Sequence, residues 1–212
     1  PQQTLVAHTP DQVKPLLDAV ETLSQQGWWC VGYLRYEAAP AFDSALHVHE
    51  ASGPLAWFGI YSCPLPWPDL TRPDVSRPDD DTTRVVWQNP LSRTVFDQRM
   101  VHIHQAIAAG EFYQVNYTSA LQGAFSGDAL TLFQRLQRAQ PNGYAAFINS
   151  GFEQVLSVSP ELFFDWRSAP DAGPRHILTR PMKGTAPRGH NAEEDAALAQ
   201  SLVTSAKERA EN

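Results

Sequence analysis

Apolar positions first recur at helical spacing: Val13, Leu16, Leu17, Val20 and Leu23 follow a capping Thr9 and a first-turn Pro10, and the pattern stops at Gly27. The period then changes. Trp28 to Tyr36, Leu55 to Tyr61 and Arg84 to Gln88 are rich in aromatic and β-branched residues and read as strands. Cys63 to Asp81 holds five prolines (Pro64, Pro66, Pro68, Pro73, Pro78) and the acidic triplet Asp79 to Asp81, so it is expected to be a surface loop. One helix and two strands precede it, which is too little to bury a core, so it is not read as a domain linker. Phe96, Met100, Ile103 and Ile107 predict a second helix over 94–109 with Gly110 as its stop. Tyr113 to Leu121 reads as a strand and Asp128 to Ala139 as a helix around Leu132, Phe133 and Leu136. Short strands follow near 144–149, 154–158, 161–167 and 176–179. Asn191 and Glu194 form a capping box for a last helix, which Leu198, Leu202 and Ala206 carry to Asn212 without a stop signal.

Short strands in hairpin-like succession, with helices inserted singly, predict an α+β fold of antiparallel β-sheets packed with helices rather than a doubly wound sheet. The helix running to Asn212 and the absent initiator Met predict that residues 1–212 are a single incomplete domain, with 1–90 an N-terminal region.

Composition narrows the function. The content is 42% hydrophobic with ten Phe and six Trp, ample for a packed core. A formal charge of −7 argues against nucleic acid or an anionic membrane as partner, because the overall field would repel both. Cys30 and Cys63 are too few for a disulfide framework and read as reduced, buried thiols. No secretory leader pattern opens the chain and no window approaches about 18 apolar residues, so a cytoplasmic location is expected. His102 and His104, two apart on a helix, point to different faces and make no metal site.

Within this acidic chain lies one basic island. From Ala172 to Ala192 it carries Arg175, Arg180, Lys183 and Arg188 without a carboxylate, a stretch suited to holding a small anion. Lys183 stands between Pro181 and Gly184, where a regular helix surface is disfavoured. Upstream, Glu161 opens the apolar run Leu162-Phe163-Phe164 and places a carboxylate at the mouth of a strand.

Four segments then resemble, in order, signatures of the chorismate-utilising enzymes: Gly110 to Thr118, Ser159-Pro160-Glu161-Leu162-Phe163, Thr179 to Arg188, and Lys207 to Asn212. The likeness is tight over 84–212, and Gly32 to Ala39 resembles the N-terminal part more loosely. Within the family it is similar to the component I type of aminodeoxychorismate synthase, which serves para-aminobenzoate and folate synthesis. The resemblance implies that residues 91–212 are the first part of a chorismate-binding region. It implies Lys183 as nucleophile at C2 of chorismate while the C4 hydroxyl departs, followed by ammonia at C4. A lysine with pKa near ~10.4 must lose its proton first, by desolvation or through neighbouring Arg180 and Arg188. Glu161 is implied as general acid, Gly184 and Thr185 as donors to the substrate carboxylate, and Glu211 as one ligand of Mg2+. A glutamine amidotransferase subunit is the implied ammonia source.

Anthranilate synthase component I shares most of these motifs but resembles Ala at the position of Lys183. A non-catalytic binding or assembly module is a further alternative. The family's second Mg2+ carboxylate, its substrate-binding Arg and a glycine-rich strand would follow Asn212, so residues 1–212 alone are expected to be catalytically silent. Unpaired strand edges make a homo-oligomer of this segment an expectation too. A tryptophan-binding motif is not evident.

Overall fold

The structure, a computed structural model, describes residues 1–66, 83–88, 91–141, 143–167, 176–182 and 184–211, with Glu211 by its backbone only. Most of the proline-rich stretch with its acidic triplet, Arg175 and Lys183 lie outside the described residues. The chain divides into two compact units, residues 1–68 with 135–212, and residues 69–134. All strand pairings among the described residues are antiparallel, so the architecture is α+β with hairpin sheets and interleaved helices.

In the first unit, β1 (Gln3–Ala7), α1 (Pro10–Gln25), β2 (Trp29–Leu34) and β3 (Ala56–Tyr61) make a three-stranded sheet of order β1-β3-β2 with one helix packed on it. The Gln12 side chain closes the start of α1 by accepting from the His8 N–H at 2.8 Å, and Gly27, at φ 89°, turns the chain into β2. Ala7, Val13, Leu16, Ala38, Leu55 and Ala56 form the buried cluster. The segment before the proline-rich stretch therefore does bury a core, contrary to the expectation from one helix and two strands. The difference is β1, a short run with Thr4 and Val6 as its β-branched residues, which is absent from the expected strands and pairs along its whole length with β3. After β2 the chain enters a 3₁₀ helix, Tyr36–Ala41, which puts Ala38 into the cluster.

The same unit holds two hairpins, β6 (Tyr144–Asn149) with β7 (Gln154–Ser159), and β8 (Leu162–Arg167) with β9 (His176–Arg180). The first is tied to the N-terminal sheet by a clasp. The Arg35 guanidinium donates to both carboxylate oxygens of Glu153, at 2.6 and 2.5 Å, and to the Pro54 carbonyl at 2.9 Å. The Tyr33 hydroxyl donates to the same carboxylate, and burial together with that negative charge pushes its pKa up. Arg35 belongs to the loosely matching segment 32–39.

The second unit contains β4 (Arg84–Gln88), α2 (Arg93–Ala108), β5 (Gln122–Ser126) and the start of α3 (Ala129–Ala139). Residues 113–121 do not form the expected strand; β5 begins at Gln122, because β4 finds its partner there and close approach to the Val86 backbone requires Gly123. The last helix is also not continuous. Ser205 is extended (φ −63°, ψ 121°) between α4 (Ala192–Thr204) and α5 (Ala206–Glu211), and its hydroxyl accepts from the Glu208 N–H at 3.3 Å, so a polar residue in mid-pattern ends one helix and caps the next. Cys30 is part-buried with its thiol pKa raised by that burial, whereas Cys63 is exposed rather than buried.

Candidate active site

Register brings the two chemically interesting segments together. In the β8–β9 ladder Leu162 pairs with Arg180, so Glu161, one residue before β8, faces Pro181 and Met182, just after β9. Pro160 and Pro181 lack N–H groups and end the ladder there. The Glu161 carboxylate then accepts a hydrogen bond from the Met182 N–H at 3.0 Å. Its chain position is held by Ser159, whose hydroxyl donates to the Glu161 carbonyl at 3.2 Å. The carboxylate thus sits on the residue that immediately precedes Lys183, across 21 positions of sequence.

A hollow of ≈ 370 Å³ opens beside this contact, lined by Glu161, Leu162, Phe163, Thr179 and Pro181. That size suits a small organic ligand. Its apolar wall exists because the pairing is irregular between Leu162 and Asp165: Phe163 stands 86% exposed, with its ring edge-to-face on Phe164 at 5.0 Å. A displaced register of this kind re-aims side chains, as bulges do beside functional sites. Arg180, the last residue of β9, has its guanidinium 3.5 Å from the hydroxyl of Tyr144 at the start of β6, and the two line a separate hollow with Phe164 and Asp165.

Gly184 has φ 70°, and a Cβ there would collide with the Glu208 carboxylate of α5. The start of the 184–189 loop therefore rests on α5. Its other end rests on α4, through Arg188 and Asp195 at 2.8 and 2.6 Å. Arg188, an expected neighbour of Lys183, is ion-paired with Asp195; the pairing raises the Arg188 pKa, while the guanidinium and the Gly189 N–H lower that of Asp195. Gly184 and Thr185 are both exposed.

Among the described residues no three acidic, His or Cys side chains converge as a metal cage. An ion held by one or two carboxylates and several waters does not need such a cage, and that is how Mg2+ is usually bound. The donor chemistry fits: one buried oxygen of the Glu208 carboxylate has no hydrogen-bond partner, and Glu211 follows one helical turn later on α5.

The remaining matched segment, Gly110 to Thr118, belongs to the second unit. Gly110 (φ 77°) ends α2, and Tyr117 accepts from Arg99 at 3.0 Å while its ring lies edge-on to Phe96. Sequence reading missed Tyr144, Asp195 and Glu208. Asp195 and Glu208 lie in ordinary helical first turns, and nothing in their spacing announces the loop that they hold.

A family model described as chorismate binding enzyme matches residues 3–212. Aminodeoxychorismate synthase component 1 of Salmonella typhimurium is 35% identical over 126 residues, covering 59% of this chain and 26% of that protein. The protein of the same name from Escherichia coli is 33% identical over 134 residues, covering 63% of this chain and 28% of its own length. Anthranilate synthase component 1 of Methanothermobacter marburgensis is 28% identical over 200 residues, 86% of this chain and 42% of that protein. The chain thus spans about a quarter of the length of the first two, and no solved structure matches it.

Proposed function

Because this chain belongs to the chorismate binding enzyme family, we propose that it is part of an aminodeoxychorismate synthase component I, converting chorismate and ammonia to 4-amino-4-deoxychorismate. The observation that carries this reading is the bond from the Met182 N–H to Glu161, which supports a carboxylate working beside Lys183. In the proposed reaction the neutral Lys183 amine forms a bond to C2 of chorismate, the ring double bonds shift, and the C4–O bond breaks. Glu161 supplies the proton with which the hydroxyl leaves as water, and takes up the one that the amine gives off. Ammonia then bonds to C4, the shift reverses, and Lys183 leaves C2 with a proton lost by the incoming nitrogen. Gly184 and Thr185 donate to the substrate carboxylate through backbone and hydroxyl. Mg2+, when bound, supplies positive charge against that carboxylate, and Glu211 is the residue proposed to hold it.

A glutamine amidotransferase subunit is the proposed source of ammonia, and the cytoplasm the proposed compartment; among the described residues no helix is long and apolar enough to cross a membrane. The broad alignment with the Methanothermobacter protein favours anthranilate synthesis as the second reading. Lys183 stands against it, and product analysis separates the two. The full-length protein that contains this chain is incubated with chorismate, ammonium and Mg2+. Aminodeoxychorismate is the expected product by mass spectrometry, and Lys183→Ala is expected to bring it close to background. Fluorescent anthranilate as the main product, or a wild-type rate in Lys183→Ala, would overturn the reading.

A further inference from the structure

The loop from Gly184 to Gly189 has two anchors, and one of them has no part in the reaction just described. Asp195, in the first turn of α4, accepts from Arg188 Nε at 2.8 Å and Arg188 Nη2 at 2.6 Å, and from the Gly189 N–H at 2.8 Å. Gly189 is half-buried, and a Cβ on it would strike the Asp195 backbone, so loop and helix are in direct contact there. The next residue continues the attachment: the His190 N–H donates to the Glu194 carboxylate at 2.8 Å, while Asn191 caps the helix by accepting from the Glu194 N–H at 2.9 Å. Three successive loop residues are thus bonded to one helical turn, whose own position is set by its cap.

We propose that Asp195 is a positioning residue for substrate binding: acting through Arg188 and Gly189, it fixes the far end of the loop whose near end, Gly184 and Thr185, meets the chorismate carboxylate. The inference rests on the assignment of Gly184 and Thr185 as carboxylate donors. Four residues separate Gly184 from Gly189, so the loop has little slack between its contact with Glu208 and its bonds to Asp195. A fork of two parallel N–H···O bonds sets direction as well as distance. Its value for overall stability is small, since Arg188 is 88% exposed and solvent screens the pair. Loss of Asp195 should consequently be felt in substrate affinity much more than in melting temperature. A residue that only stabilised α4 would show the reverse.

The test uses the full-length protein with Mg2+ and measures chorismate affinity by calorimetry alongside the melting temperature. Asp195→Ala is expected to weaken chorismate binding about ten- to hundredfold, the scale of a displaced positioning element. Asp195→Asn keeps an acceptor for the Gly189 N–H and loses the charged fork, so it should fall between Ala and wild type, and Arg188→Lys should resemble it. Melting temperatures should stay close to wild type in all three. Affinity within twofold of wild type in Asp195→Ala, or a loss of affinity that merely follows a large fall in melting temperature, would overturn the proposal. Wild-type protein that binds chorismate without forming aminodeoxychorismate would sink the functional reading and leave the Asp195 comparison valid. Wild-type protein that binds no chorismate would overturn both.

Discussion

Glu161 shows how little a single residue's chemistry says until its neighbours are known. It is an exposed carboxylate, yet the register of one hairpin gives it the Met182 N–H and a place on the wall of a hollow. Glu161→Gln keeps the shape and the acceptor but removes the transferable proton. In the full-length protein this variant is expected to lose about 10²–10⁴ of turnover while chorismate still binds; wild-type turnover across pH would take Glu161 out of the mechanism. Gly184 makes a different demand. Its φ of 70° is costly for any L side chain, by roughly 1–2 kcal/mol, and Glu208 occupies the space into which a Cβ would project. Gly184→Ala should lower both stability and chorismate affinity. Adding Glu208→Ala removes the collision but not the backbone cost, so part of the stability is expected to return in denaturant titrations. No recovery at all would mean that Glu208 does not press on this glycine.

Among elements, the β6–β7 hairpin depends on a contact between residues more than a hundred positions apart. Arg35 and Glu153 are 22% and 31% exposed, enough burial to limit screening; Arg35 Nη2 donates to both carboxylate oxygens, and Tyr33 and the Pro54 carbonyl reinforce the pair. Directly contacting charged partners of this kind couple by about 0.5–3 kcal/mol. A double-mutant cycle with Arg35→Met and Glu153→Gln is expected to give a coupling inside that range and larger than the same cycle gives for the exposed pair Arg93–Asp97. Zero coupling would reduce the clasp to a surface pair. Glycine has a further use at the turn: Gly151, at φ 84°, lets the chain reverse so that Glu153 reaches back to Arg35.

For the molecule as a whole, the notable property is how much apolar surface the small sheets leave uncovered. Among the described residues the β4–β5, β6–β7 and β8–β9 sheets have two strands each, and Trp87 (62%), Phe163 (86%) and Ile177 (67%) are exposed on them. Isolated two-stranded sheets are marginal in water, and open edges with apolar faces pair with whatever is available. Residues 1–212 expressed alone are therefore expected to self-associate, as dimers or larger species in light scattering. A monodisperse monomer across the micromolar range would show that these faces cover one another in solution.

Local patterns in the sequence determined most elements, because helical stripes, caps and β-rich runs depend on neighbours a few residues away. α1, with Thr9 and Gly27 at its ends, and β4 at Arg84–Gln88 were legible in this way. Four motifs in a fixed order also make the family legible from the amino-acid sequence alone. Three features needed the folded chain. β1 is a strand because β3 offers an edge to it, and residues 113–121 are not one because β4 pairs further along. Ser205 divides the last helix because its hydroxyl caps the following turn, a choice that apolar spacing does not register. The meeting of Glu161 with the segment before Lys183, and the hold of Asp195 on Arg188, are likewise decided by strand register and helix placement. Contacts between residues distant in sequence follow from three-dimensional pairing, which a one-dimensional pattern of polar and apolar positions leaves open.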